Sequence, residues 1–226
     1  MNKYFLTGLK ESYPIVLGYI PIGLAFGVLA SSASISPLGV LFISLILFAG
    51  SAQFITVSMI VAGLNSLNII ATIFVVNFRH FLMSSSYSRY FKNEKVLPLL
   101  FLSYFVTDES FAVGINKAKY DNENFNKDYL LGVELGGYLA WACFTTLGAY
   151  IGSFITDFEA LGLDFALPAM FIGLLALLIK SKKDLLICVI AGFLTVSLSF
   201  TPLHSFSIII GSIIASVLLL GGNNND

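Results

Sequence analysis

The chain has 226 residues, 57% hydrophobic and 11% charged, with a mean hydropathy of +0.89. A soluble domain carries about a quarter charged residues, so a soluble globule is excluded. With 12 basic and 13 acidic residues the formal net charge is -1. No basic surface is left for a phosphate backbone, and nucleic acid is not an expected partner.

A bilayer core about 30 Å thick takes roughly 20 apolar residues of helix. The first such run, near 13–33, follows Lys3 and Lys10 and ends in Ala30-Ser31-Ser32-Ala33, as a signal peptide would. It is about twice the usual signal-peptide apolar length and Pro21 interrupts it, so it reads as a retained span. Gly18-Tyr19-Ile20-Pro21-Ile22-Gly23 removes one backbone donor and adds two flexible glycines. Two readings stay open: unwound backbone around Pro21 and Gly23 that offers N–H groups to an anion, or a packing kink with Gly23 and Gly27 as a small-residue contact face.

The second run, near 38–63, holds Ala49-Gly50-Ser51-Ala52-Gln53. Gly50 and Ser51 allow close approach and Gln53 offers a donor and an acceptor, so the same two readings apply. The third run, near 66–88, carries Asn77, His80 and Ser84 on one helical face, with Arg79 about 100° around from His80. Arg79 lies roughly 12 Å from the span's end near Tyr87. An arginine snorkelling to the interface is the plain alternative; Asn77 and His80 beside it favour a protein-lined cavity. The fourth run, near 97–116, contains Asp108 and Glu109, each costing about 2.5–3.5 kcal/mol if ionised at mid-bilayer. A short loop joins runs three and four, so an antiparallel hairpin returns both acids to the depth of Arg79 and His80. A static ion pair and a working proton or substrate site both fit, and the gathering of ionisable groups within spans favours function.

The fifth run, near 129–155, begins with Glu134 inside it, an access-gate acid or a snorkelling or lysine-paired residue. After Asp157-Phe158-Glu159 come shorter runs near 165–180, 184–200 and 203–221, separated by Lys180-Ser181-Lys182-Lys183-Asp184 and Thr201-Pro202. The expected fold is an all-α, polytopic bundle of about eight transmembrane helices, seven being the alternative, some broken, in one transmembrane domain over 1–226. Long apolar runs rich in glycine exclude a β-barrel. Gly18-Tyr19 echoes Gly137-Tyr138, and Phe48-Ala49-Gly50 echoes Phe171-Ile172-Gly173. An internal repeat of two four-span halves would produce that, as would chance in so apolar a chain.

Counting spans from a cytoplasmic N-terminus, residues 1–12, puts Lys3, Lys10, Lys117, Lys119, Lys127, Lys180, Lys182 and Lys183 inside. Arg89, Lys92 and Lys95 fall outside, a conflict that a re-entrant early span or a partner contact would resolve. Cys143 and Cys188 read as free core thiols, and His204 beside Pro202 as interfacial. With no clustered Cys/His, no metal is expected; without a Walker loop or GxGxxG, no cofactor and no ATP-driven cycle are expected.

As a set, Gly18-Tyr19-Ile20-Pro21-Ile22-Gly23-Leu24-Ala25-Phe26-Gly27, Phe48-Ala49-Gly50-Ser51-Ala52-Gln53-Phe54, Asn77-Phe78-Arg79-His80 and Thr107-Asp108-Glu109-Ser110-Phe111-Ala112 resemble the successive motifs of the AzlC family, most closely from about residue 13 to 116. The resemblance implies the large subunit of a branched-chain amino acid exporter in the bacterial inner membrane, working with a small AzlD-type subunit. A zwitterion needs charged partners at both ends and an apolar pocket. The candidates are Pro21, Gly23, Gly50, Ser51, Gln53, Asn77 and Arg79 for substrate, with Asp108 or Glu109 for the ammonium group. Asp108, Glu109 and His80 are also the candidates for proton coupling. A passive pore is the competing class. An intramembrane enzyme ranks lower, because adjacent acids point about 100° apart on a helix, a poor geometry for acting on one bond.

Overall fold

The structure, a computed structural model, describes residues 2–92, 94–155, 172, 179, 181–201 and 207–220. The chain divides into two compact units, Met1–Leu167 and Pro168–Asp226.

In the first unit α1 (Lys3–Glu11) and α2 (Tyr13–Ser32) are separated by Ser12 alone. Pro14, lacking an N–H, fits the first turn of α2. α3 (Pro37–Ile46) and α4 (Gly50–Val61) follow, then α5 (Ser66–Tyr87), which a 3-10 turn extends over Ser88–Tyr90. α6 (Val96–Phe105), α7 (Asp108–Tyr120) and α8 (Lys127–Gly152) complete the unit.

α8 is the spine. A Cβ on Gly8 would lie 2.0 Å from Tyr129 O, one on Gly27 2.1 Å from Thr145 O, and one on Gly148 2.3 Å from Leu24 O. The contacts advance together, so α1 and α2 run parallel to α8, and glycines on both backbones permit the close approach. α2 passes through Pro21 unbroken, and a Cβ on Gly23 would sit 3.1 Å from Phe144 Cβ. Gly23 therefore belongs to a packing face while Pro21 is exposed, and no unwound backbone is present there to bind a ligand.

The interruptions fall instead in the runs near 38–63 and 97–116, each of which the sequence presents as one span. α3 and α4 are separated by Leu47-Phe48-Ala49, with Ala49 extended at φ -155 and ψ 95. Val106-Thr107, both extended, separate α6 from α7. α6 starts near the foot of α8, where Lys127 Nζ lies 2.8 Å from Glu94 Oε2, and ends at its middle, with Phe105 edge-on to Tyr138 at 4.9 Å. α7 begins at that level and comes back. Thr107 accepts from Tyr19, which packs on Gly137; Gly114 packs on Tyr87 and Leu130; and Lys117 reaches Glu11 at 3.1 Å and Asp121 at 2.9 Å. The Lys117 hydrogen bond holds the Asp121 carboxyl below its usual range. α6 and α7 thus form a re-entrant hairpin that enters and leaves by the face carrying the N-terminus.

α3 and α4 form its counterpart from the opposite face. α3 starts just beyond the end of α2 and reaches the middle of α8, where Tyr138 OH donates to Leu45 O at 3.0 Å. α4 starts against Trp141 at Gly50 and turns back past Phe26, which meets Phe54 at 5.1 Å. After the short loop 62–65, the 22 residues of α5 cover about 33 Å at 1.5 Å per residue, enough to cross to Tyr87. The arrangement from residue 13 to 155 is three crossing helices, α2, α5 and α8, and two re-entrant hairpins, in place of five crossings. Among the described residues the same three are the helices long and apolar enough to cross a membrane.

The correction removes the charge conflict. Counting α6 and α7 as one crossing put Arg89, Lys92 and Lys95 opposite Lys127, yet the Lys127–Glu94 pair places both loops on one face. Loops 33–36 and 62–65 of the opposite face contain no Lys or Arg. In the second unit α9 (Lys182–Ser199), capped by Ser181 and Asp184, packs on α10 (Ser207–Leu220), with Gly211 against Thr195. The run near 165–180, apart from Ile172 and Ile179, and Asp157, Glu159, Phe171, Gly173, Lys180, Pro202 and His204 lie outside the described residues.

Candidate functional site

The tips of the two hairpins meet at the middle of α8. A helix ending inside an apolar environment leaves its last carbonyls without partners unless side chains supply donors. Here Gln53 Nε2 donates to Leu47 O at 2.5 Å and Ile43 O at 3.4 Å, while Trp141 Nε1 donates to Gln53 Oε1 at 2.9 Å. Tyr104 OH donates to Leu45 O and, at 3.1 Å, to Ile46 O. Ser44 and Thr145 hydroxyls pair at 2.8 Å. Gln53, fully buried, is therefore a brace that ends α3 and ties it to α8.

The start of α4 is left open. No side chain caps it, so the N–H groups of its first turn have no intrahelical partner. Gly50 is needed because a Cβ there would meet the Trp141 ring at 3.0 Å. Ser51 Oγ accepts from Arg79 Nη2 at 2.8 Å, and Arg79 Nη1 lies 2.6 Å from Asp108 Oδ2. Arg79, on the crossing helix α5, thereby links the starts of α4 and α7. Its side chain is 39% exposed and that of Asp108 51%, so the pair is open to its surroundings.

The start of α7 is closed by a reciprocal cap. Thr107 N donates to Ser110 Oγ at 2.9 Å and Ser110 N to Thr107 Oγ1 at 3.3 Å, and the acidic first turn Asp108-Glu109 suits the positive helix end. Tyr19 OH donates to Glu109 Oε2 at 2.8 Å and meets Thr107 Oγ1 at 3.1 Å. The two acids diverge, Asp108 toward Arg79 and Glu109 toward Tyr19.

Asn77 and His80 sit to one side of this junction. His80 Nδ1 is 3.1 Å from Asn77 O. Asn77 Oδ1 and Arg79 Nε are buried without hydrogen-bond partners. His80 faces a cavity of about 400 Å³ whose walls combine Ser84, Ser88 and Ser103 with Phe81, Phe91, Leu99, Leu102, Val106 and Leu130. The charges expected at one point thus divide between an ion-paired junction and an adjoining, mostly apolar cavity. Tyr19, Tyr104, Trp141 and the Thr107–Ser110 cap were not singled out as site residues. For the cap a signal exists, since Thr followed by two acids inside an apolar run is how a helix starts.

The family described as AzlC protein matches residues 14–155, a range that contains all three crossing helices and both hairpins. An uncharacterized membrane protein of Archaeoglobus fulgidus is 36% identical over 227 residues, covering 97% of this chain and 95% of that one. Inner membrane protein YgaZ of Escherichia coli is 34% identical over 193 residues, 83% of this chain and 78% of that one. Branched-chain amino acid transport protein AzlC of Bacillus subtilis is 28% identical over 222 residues, 97% of this chain and 78% of that one. No solved structure matches the chain. With the family match spanning both re-entrant hairpins, the chain belongs to the AzlC family of membrane proteins.

Proposed function

We propose that the chain is the large subunit of a secondary transporter that exports branched-chain or similar hydrophobic amino acids across the bacterial inner membrane, with a small AzlD-type subunit as partner. The observation that carries this reading is the junction of the two hairpins, where the uncapped start of α4, Ser51, Arg79 and Asp108 form one connected chain. The start of α4 supplies N–H groups and a positive dipole end for a carboxylate, with Arg79 held beside it. Asp108 and Glu109 supply negative charge for the ammonium group. The cavity at His80, about 400 Å³, lies within the roughly 300–1,000 Å³ of small-molecule sites and would take an aliphatic side chain. Half-helix ends at mid-membrane are a recurrent way for transporters to build such sites.

The name of the Bacillus subtilis relative supports the substrate class, and that of the Escherichia coli relative the inner membrane. The face that gathers Arg89, Lys92, Lys95, Lys117, Lys119 and Lys127 is assigned to the cytoplasm, the N-terminus with it. Export is coupled to protons, and His80, Asp108 and Glu109 are the groups at the site able to change protonation. The AzlD-type subunit covers part of α5, whose apolar Leu67, Phe74 and Phe81 are exposed, and the neighbouring reading frame should encode it as about four hydrophobic spans. The divergence of Asp108 and Glu109 argues against a paired-acid enzyme.

The test is efflux of radiolabelled leucine and valine from proteoliposomes, with and without unlabelled substrate on the far side. Trans-stimulated efflux is expected, lost in Arg79→Gln and in Asp108→Asn while both variants still purify as folded protein. Flux without trans-stimulation would mean a pore, and unchanged transport in both variants would remove the site assignment.

A further inference from the structure

Glu134 takes no part in the junction, yet it is the most isolated acid among the described residues. Its side chain is 1% exposed and both carboxyl oxygens are buried with no hydrogen-bond partner. Buried polar groups are almost always partnered, and an ionised carboxylate without a partner is the most expensive exception. The snorkelling and lysine-paired readings of Glu134 are therefore excluded.

Its position is functional in outline. Glu134 stands one turn along α8 from Leu130, which lines the His80 cavity and packs against Gly114 of α7, and one turn before Tyr138, which holds the end of α3. α7 and α8 are antiparallel, so moving one turn from the Gly114–Leu130 contact brings Ser110 and the start of α7 to the level of Glu134. The acid thus lies behind the re-entrant hairpin that carries Asp108 and Glu109.

Among the described residues no hydrogen bond or salt bridge joins Glu134 to the titratable groups of the surrounding elements, and His80 of α5 meets Asn77 O. Glu11 of α1 binds Lys117 and Tyr129, Tyr19 of α2 binds Glu109, Tyr87 of α5 reaches the Ser110 and Phe111 carbonyls, Tyr104 of α6 and Tyr138 of α8 bind Leu45 O, and Asp108 of α7 pairs with Arg79. Among the described residues no cation pairs with Glu134, whereas Asp108 and Glu109 each have a partner.

We propose that Glu134 carries the coupling proton: its carboxyl is protonated while the α6–α7 hairpin lies against α8, as here, and becomes a carboxylate, releasing the proton to water, when that hairpin moves off α8. This rests on the transporter reading and deepens it, because it separates the ion-coupling acid from the substrate-binding acids. Ionisable groups buried in membrane spans commonly serve as such relays.

Two measurements on the full-length protein test it. A hydrophobic carbodiimide, dicyclohexylcarbodiimide, adds to protonated carboxyls within membranes; peptide mapping should find it on Glu134, with modification falling as the bath pH rises. Glu134 modified equally at every pH, or never modified, would overturn the proposal. In proteoliposomes Glu134→Gln should keep leucine counterflow at equal pH and lose leucine movement driven by an imposed pH gradient. A gradient response equal to that of the unaltered protein would overturn it. If Glu134→Gln does not fold, Glu134→Asp should retain coupled transport with a displaced pH profile, and an unchanged profile counts against the proposal. Failure of the unaltered protein to show leucine counterflow would remove the transporter reading, while the labelling result would still decide whether Glu134 exchanges a proton.

Discussion

Replacing Gln53 by Leu tests whether the break between α3 and α4 is a braced feature. The substitution puts an aliphatic side chain of similar size in a fully buried place and removes three hydrogen bonds, to Leu47 O, to Ile43 O and from Trp141 Nε1. Interhelical polar contacts in membranes average about 0.6 kcal/mol and reach about 1.7, so the loss is about 2 kcal/mol, up to roughly 30-fold in the unfolding equilibrium. The chain has 1 tryptophan, so its fluorescence during unfolding in mixed micelles reports on the brace itself. Gln53→Leu should lower the unfolding midpoint, shift the native emission and slow transport. A destabilisation of no more than about 0.6 kcal/mol, the worth of a single such contact, with native emission unchanged, would refute the idea that Gln53 ends α3.

Gly27→Ala places a Cβ 2.1 Å from Thr145 O and 2.4 Å from Ala149 N, backbone atoms that cannot turn aside, so α2 must shift from α8. The expected loss is about 1–3 kcal/mol, read as a lower thermal midpoint in detergent. Thr107→Ala removes the cap of α7 and the Tyr19 contact; it should cost about 1 kcal/mol and reduce leucine transport, with Thr107→Ser restoring most of both.

What the sequence disclosed depended on how local the cause was. The helical class and the membrane setting follow from composition, and the meeting of Arg79 with Asp108 follows from spacing along two antiparallel runs. The re-entrant hairpins were hidden for a physical reason. Hydropathy sums side chains, and Phe48 and Val106 are as apolar as the helices around them. What stops α3 is a set of donors, Gln53, Tyr104 and Tyr138, of which two lie 59 and 93 residues from the carbonyl at Leu45 that they share. Pro21 points in the opposite sense, because a proline in mid-helix suggests a break, yet α2 runs through it whole, with Gly23 and Gly27 packed against α8. The charged loops held the missing information. Arg89, Lys92 and Lys95 conflict with the positions of Lys3, Lys10 and Lys127 only as long as the two hairpins are read as crossings.

The central claim, that the junction recognises an amino acid by both of its charges, is tested most directly by competition binding. Radiolabelled L-leucine bound to the full-length protein would be challenged with leucinamide, which lacks the carboxylate, and with 4-methylpentanoate, which lacks the ammonium group. The account predicts that unlabelled leucine and valine displace the label, that neither analogue does, and that Asp108→Asn abolishes leucine binding. Displacement by both analogues as effective as that by leucine itself, unaltered in Asp108→Asn, would contradict it.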